Sequence, residues 1–204
     1  MNSNTSNTNI LITGVGGQGV LTLAEIIAKA ALADNQNVRV GEIHGMAQRG
    51  GHVVCTVRIG DNVFGPIIDP GTADLVIGFE PLETLREIQT ISETGYVVMN
   101  SHVQYPVDVS MGKTEYPTHD EILSHMQAFT RNIKEIDAMD LAKKAGSSRS
   151  MNMVMFGALL GTNLTPLKKE LSLEVVRSSF SSKYESINLT AVDLGYETIQ
   201  NLMK

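Results

Sequence analysis

A single cysteine, Cys55, among 204 residues excludes several chemistries at once. One thiol cannot close an intrachain disulfide, and it cannot supply the CxxC sets that bind zinc or carry an iron–sulfur cluster. Basic residues are also few, sixteen Lys and Arg against twenty-two Asp and Glu, giving a net charge of −6. They are scattered along the chain, whereas binding a phosphate backbone needs them clustered, so no nucleic-acid partner is expected. Long apolar runs are lacking too. The longest, Met151 to Leu160 with Asn152 inside it, is about half of the ~20 residues that a spanning helix needs, so no membrane is expected. Met1 to Asn9 is rich in Asn, Ser and Thr without the basic and apolar regions of a signal peptide. Residues 1–8 read as a disordered tail, and the protein is expected in the cytoplasm.

What remains is an ordinary globular composition, 42% apolar and 19% charged, enough for one core. Residues 9–204 read as a single domain. Ile10 to Ile12 forms a short continuous apolar run that suits a buried parallel strand. Val20 to Ala33 is apolar at nearly every position, with Glu25 and Lys29 four apart on an exposed stripe. Val38 to Ile43 and His52 to Ile59 read as strands, with Gly60-Asp61-Asn62 turning the second back towards Val63 and Phe64 in an antiparallel hairpin. Asp74 to Phe79, a helix from Pro81, and Gly95 to Asn100 continue the alternation. Ser101 to Thr118 has no periodicity and reads as an irregular excursion. Asp120 to Phe129 reads as a helix, Arg131 to Ile136 as a strand, and Asp137 to Lys144 as a helix ended by Gly146. Only helical patterns follow: Asn152 to Leu160, Leu167 to Phe180 and Lys183 to Met203. The predicted class is α/β, a Rossmann-like doubly wound, mostly parallel sheet with a local hairpin and C-terminal helices.

Gly14-Val15-Gly16-Gly17-Gln18-Gly19 matches G-x-G-x-x-G between a strand and a helix, the context that this motif requires. Gly14 permits a tight turn, Gly16 a close approach of backbone to phosphate, and Gly19 close packing of the helix, whose N–H groups then face an anion. The plainer alternative is a compact crossover with no ligand. An NAD site further needs an acidic residue about 20 positions on, and Glu42 follows Gly19 by 23. No hydride-transfer arrangement is recognisable downstream.

Between the second and third strands lies His44-Gly45-Met46-Ala47-Gln48-Arg49-Gly50-Gly51. Loops past a strand's carboxyl end are where α/β folds place ligands. Arg49 offers paired planar donors to a phosphate or carboxylate, or is simply a solvated loop residue. His44 can donate to a ligand, although a structural role is the plainer reading. The other histidines lack ligand spacing, so no metal site is assigned. Cys55, in an alternating strand, reads as a small core residue rather than a nucleophile. Met151, Met153, Met155 and Phe156 read as core ahead of an adaptable partner surface. Glu83, Arg86 and Glu87 read as the solvated face of a helix.

The glycine turn, taken together with the Gln48-Arg49-Gly50-Gly51 loop, resembles the gamma-type subunit of 2-oxoacid:ferredoxin oxidoreductases. The His44 to Gly51 segment is most similar to the indolepyruvate branch. Asp137 to Ala142, Asn152 to Gly161 and Asn188 to Tyr196 share the resemblance, which covers about residues 9–197. It implies a complex that decarboxylates a 2-oxoacid with thiamine diphosphate and magnesium, passes electrons through iron–sulfur clusters to ferredoxin, and transfers the acyl group to coenzyme A. Those cofactors are expected on partner subunits, and this chain is expected to be inactive alone and to help form the coenzyme A site. The candidate binding residues are Gly14, Gly16, Gly17, Gln18, Gly19, His44, Gln48, Arg49 and Gly50. A free-standing NAD-binding enzyme, an adenylating enzyme and a pure scaffold subunit are the alternatives.

Overall fold

The computed structural model describes residues 7–44, 50–105 and 107–204, with the side chains of residues 44, 107 and 108 left aside. Elements follow the order β1 (Thr8–Val15), α1 (Val20–Ala33), β2 (Val38–His44), β3 (His52–Ile59), β4 (Ala73–Gly78), α2 (Pro81–Arg86) and β5 (Ile91–Asn100). Then come α3 (Val107–Ser110), α4 (His119–Gln127), β6 (Ile133–Ile136), α5 (Ala138–Lys144), α6 (Met151–Gly161), α7 (Lys169–Ser179) and α8 (Ser182–Leu202). Six strands form one sheet in the order β2-β3-β1-β4-β5-β6. Pairing is parallel from β1 through β4 and β5 to β6, and antiparallel where β3 meets β1 and β2. β3 alone therefore runs against the others.

Strand side chains alternate between two faces, and both faces are covered. Ile10 and Ile12 of β1 join one core with α1, α5, α6, α7 and α8, while Leu11 joins a second with α4 and the end of α2. This is the doubly wound arrangement. β1 begins at Thr8, paired with Ile59. Residues 1–6 of the expected tail lie outside the described residues.

α6 is buried along its whole length, so its Met and Phe side chains are core. Its crossing with α8 depends on glycine. A β-carbon at Gly157 would lie 1.9 Å from the Val192 carbonyl oxygen, and one at Gly195 would lie 2.0 Å from that of Val154. The two backbones therefore touch, leaving no room for any side chain at the crossing.

Two expectations are corrected. The turn at Gly60 is present, but Val63 and Phe64 do not return as a strand; the antiparallel hairpin is β2 with β3. A strand beyond Gly60 would have had no free ladder, because β3 already pairs with β1 and β2 on its two sides. Glu83 is not on a solvated face. It is fully buried, because α2 is short and lays that side against β1, where the Thr13 hydroxyl donates to the Glu83 carbonyl. Within the Ser101 to Thr118 excursion, α3 is a single helical turn.

Candidate functional site

β1 leads into α1 on one face, and its neighbour β4 leads into α2 on the other. The carboxyl ends of these two strands form the topological switch point, where doubly wound sheets receive ligands. The glycine turn lies here and its residues have separate duties. Gly14 packs so tightly that an added β-carbon would meet Phe79 Cβ and Gln18 Oε1 at 2.7 Å. Gly17 and Gly19 take positive φ angles of 102° and 89°, a region that only glycine enters at low cost. Gly19 caps α1 and abuts Asn152 of α6.

Gln18 turns inward. Its Oε1 accepts the Val15 N–H at 2.7 Å and its Nε2 donates to the Phe79 carbonyl at 3.3 Å. Asn100, at the end of β5, donates to the same carbonyl at 3.0 Å. Two amide side chains thus fill the crevice between the strand ends. Gly16 donates its N–H to the Gly51 carbonyl at 2.8 Å and accepts from the Gly50 N–H at 3.3 Å. Gly14, Gly16, Gly17, Gln18, Gly19 and Gly50 therefore come together. Gln48 and Arg49 lie outside the described residues, and His44 is placed only by its backbone at the end of β2. With the Gly16 N–H engaged, the turn's capacity for an anion moves to the first turn of α1, whose N–H groups have no intrahelical partner.

A cleft of about 250 Å3 adjoins that first turn. Thr22 of α1, Arg149 and Ser150, Asn152 of α6, and Tyr184 and Asn188 of α8 line it. Asn152 is buried to nine-tenths, and its amide has no hydrogen-bond partner among the described residues. Ser150 precedes α6 but gives its hydroxyl to Asn188 Oδ1 at 2.9 Å rather than capping the helix. The Arg149 guanidinium is exposed and makes no ion pair among the described residues. A cation, an unpaired amide and the amino ends of two helices converge here, which suits a phosphate or carboxylate. None of these residues is among the binding residues expected from the sequence. Their signal was the polar group Ser147 to Ser150, with Asn152, at the start of an otherwise apolar helix.

On the other side of the turn, α2 presents carboxylates to His52, the first residue of β3. His52 Nδ1 contacts Glu83 Oε2, and Nε2 lies 2.9 Å from Glu87 Oε1. Arg86 stands 3.1 Å from the second oxygen of Glu83. The Glu83 and Glu87 carboxylates raise the His52 pKa to about 9 against the opposing effect of burial. Glu80 is buried as the cap of α2; it accepts the Glu83 N–H at 3.0 Å and the Tyr116 hydroxyl. Burial pushes its carboxyl upward, and burial beside that carboxyl raises the Tyr116 phenol. Burial also pushes the Cys55 thiol up to about 12, with Glu42 adding to the effect. The thiolate that metals and electrophiles require is therefore not formed at neutral pH. Among the described residues no group of three or more His, Cys, Asp or Glu is placed to hold a metal ion, and no helix is long and apolar enough to cross a membrane.

The family model for pyruvate ferredoxin/flavodoxin oxidoreductase matches residues 9–198. The chain is 42% identical over 196 residues to the indolepyruvate oxidoreductase subunit IorB of Thermococcus kodakarensis, spanning 96% of this chain and 97% of the relative. It is 25% identical over 191 residues to the ketoisovalerate oxidoreductase subunit VorA of Methanothermobacter thermautotrophicus, spanning 92% of this chain and 35% of that relative. The fold is shared with the keto/oxoacid ferredoxin oxidoreductase gamma subunit of Geobacter sulfurreducens, with TM-score 0.68, 20% identity and coverage of 95% and 99% of the two chains. It is also shared with 2-oxoglutarate:ferredoxin oxidoreductase of Magnetococcus marinus, solved with 2-oxoglutarate, coenzyme A and succinyl-CoA bound. There the TM-score is 0.74 and the identity 18%, over 97% of this chain and 32% of that one. The chain belongs to the pyruvate ferredoxin/flavodoxin oxidoreductase family.

Proposed function

We propose that this chain completes an indolepyruvate:ferredoxin oxidoreductase, is inactive by itself, and supplies part of the coenzyme A site. The observation that carries the branch is the 42% identity to an IorB subunit along nearly the full length of both chains, against 25% to the ketoisovalerate subunit. Thiamine diphosphate, magnesium and the iron–sulfur clusters belong to partner subunits on this reading, and the buried, protonated Cys55 accords with that.

Coenzyme A fits the glycine turn and its cleft because both ask for an anion. The free N–H groups at the start of α1 and the Arg149 guanidinium suit phosphate oxygens, and Asn152 has an amide to give. His44, Gln48, Arg49 and Gly50 join this reading from the sequence. When bound, coenzyme A supplies the thiol that accepts the acyl group. The part played by this chain is to hold the phosphate-bearing end and orient the thiol towards the partner.

NAD fits less well. A dinucleotide would occupy the crevice that Gln18 and Asn100 fill. Glu42 stands opposite Cys55 in β2, with β3 between it and β1, not on the strand beside the turn as a ribose-binding carboxylate must be.

The test is reconstitution with the thiamine-binding subunit and an assay of ferredoxin reduction with indolepyruvate, pyruvate, 2-oxoglutarate and 2-ketoisovalerate, with and without coenzyme A. Turnover is expected only from the pair, with indolepyruvate preferred and coenzyme A required. Turnover by the isolated chain, or preference for another oxoacid, overturns the proposal.

A further inference from the structure

Gly50, Gly51 and His52 form a short bridge with one end on the ligand-binding turn and the other on α2. Gly51 accepts the Gly16 N–H and Gly50 donates to the Gly16 carbonyl. His52 lies opposite Val15, the last residue of β1, in the strand register. Its ring reaches away to Glu83 and Glu87. We infer that His52 is a positioning residue: as an imidazolium held between these two carboxylates, it locks α2 to the backbone that braces the glycine turn, and so sets the turn's affinity for its anionic ligand. The inference rests on the reading of this turn as part of the coenzyme A site.

Both ring nitrogens face a carboxylate, and each can donate only if it carries hydrogen. A neutral imidazole has one N–H, so losing the proton aims a lone pair at one of the two carboxylates. The charged groups facing His52 among the described residues are Glu83 and Glu87 of α2, with Arg86 on Glu83. Glu80 lies behind Glu83 and is bonded to Tyr116. The neighbours from β1 and β3 are Val15 and Val53, which carry no charge. The lock is therefore closed at neutral pH and opens as His52 deprotonates near pH 9. The Tyr116 phenol is raised well beyond that range and does not titrate with it.

Glu87 is the lever, since it is half-buried and touches neither the turn nor the cleft. In the reconstituted complex, binding of desulfo-coenzyme A, which has no thiol to titrate, is measured by calorimetry between pH 6 and 10. In the wild type the affinity holds to about pH 8.5 and then falls about tenfold, the scale of one charged hydrogen bond. Glu87→Gln removes one of the carboxylates that raise His52. It moves that limb down by about one pH unit; because the amide oxygen that replaces the carboxylate still accepts the Nε2 hydrogen, affinity at pH 6 falls less than in His52→Gln, and kcat at saturating coenzyme A stays near the wild type. His52→Gln binds about tenfold more weakly at every pH, with no limb. An unmoved limb in Glu87→Gln overturns the inference, and so does wild-type affinity in folded His52→Gln. If His52→Gln fails to fold, Glu87→Gln decides alone. If the wild type does not bind desulfo-coenzyme A, the coenzyme A reading falls, and the lock is judged on the full-length chain by NMR. The Gly16 amide resonance then follows the titration of the His52 ring, and a Gly16 resonance blind to that titration overturns the lock.

Discussion

Asn152 of α6 stands against the backbone of Gly19, so close that a β-carbon at Gly19 would lie 3.0 Å from the Asn152 amide nitrogen. The last glycine of the turn thus makes room for a side chain that lines the neighbouring cleft. Asn152→Ala should raise the KM for coenzyme A in the complex about tenfold, the scale of one buried hydrogen bond to a charged group. It should leave kcat and the denaturation midpoint nearly unchanged, since that amide holds nothing else in the fold. Steady-state kinetics and urea unfolding together check both halves.

Arg149 and Arg49 make rival claims on the same ligand. Arg149 comes from the cleft, Arg49 from the sequence motif. Arg149→Ala should raise the coenzyme A KM roughly tenfold at low ionic strength and less in salt, because an exposed guanidinium is screened. Arg49→Ala should raise the coenzyme A requirement more than it changes oxidation of the 2-oxoacid. A defect in Arg49→Ala alone would put the phosphates on the loop side of the turn.

Stability should depend on pH through His52. Its folded pKa of about 9 lies above the ordinary 6.5, so the stabilisation is fully present below pH 6.5 and is lost as pH rises through 9. With a side chain 29% exposed, the upper bound from linkage is about 3 kcal/mol. Urea unfolding of the wild type at pH 6 and at pH 9.5 should show this fall, and His52→Ala should be flatter over the same interval.

Gly157→Ala and Gly195→Ala should each be severely destabilising, by about 2–4 kcal/mol, because the added methyl group collides with backbone of the facing helix. Gly17→Ala is a useful contrast. Nothing lies near its β-carbon, but φ is 102°, so a cost of about 1 kcal/mol from backbone strain alone is expected. Denaturation midpoints rank the three.

Cys55 should resist a water-soluble disulfide reagent in the native chain and react fully in denaturant, since it is buried and its thiol is raised to about 12. Rapid labelling of the folded protein would mean that β3 opens readily from the sheet.

The alternation of strands and helices was legible because apolar runs such as Ile10 to Ile12 and Leu75 to Ile77 have few alternatives to a buried strand. The glycine turn was legible because its conformation demands glycine. Strand neighbours were not. The pairing of β3 with both β1 and β2 is a tertiary choice, and the Gly60 turn looked locally like a hairpin. The burial of Glu83 was equally hidden, because α2 has six residues, too few for a periodicity that separates an inward carboxylate from an outward one. Gln18 matched a motif position, yet its partners, the backbones of Val15 and Phe79, include one 61 residues away. Arg149 and Asn152 become candidates only when α6 and α1 are seen side by side.

The glycine-lined crossing of α6 and α8 bears on how this cleft meets its ligand. With backbone against backbone along α6, the helix that carries Asn152 cannot slide or tilt without opening the core. One wall of the cleft is therefore preorganised, and association there spends little conformational entropy on ordering it. α8 is fixed by the same crossing, so what adapts on binding is side chain rather than backbone, such as that of Tyr184, which is exposed. On the coenzyme A reading, the recognition chemistry sits on a rigid anvil.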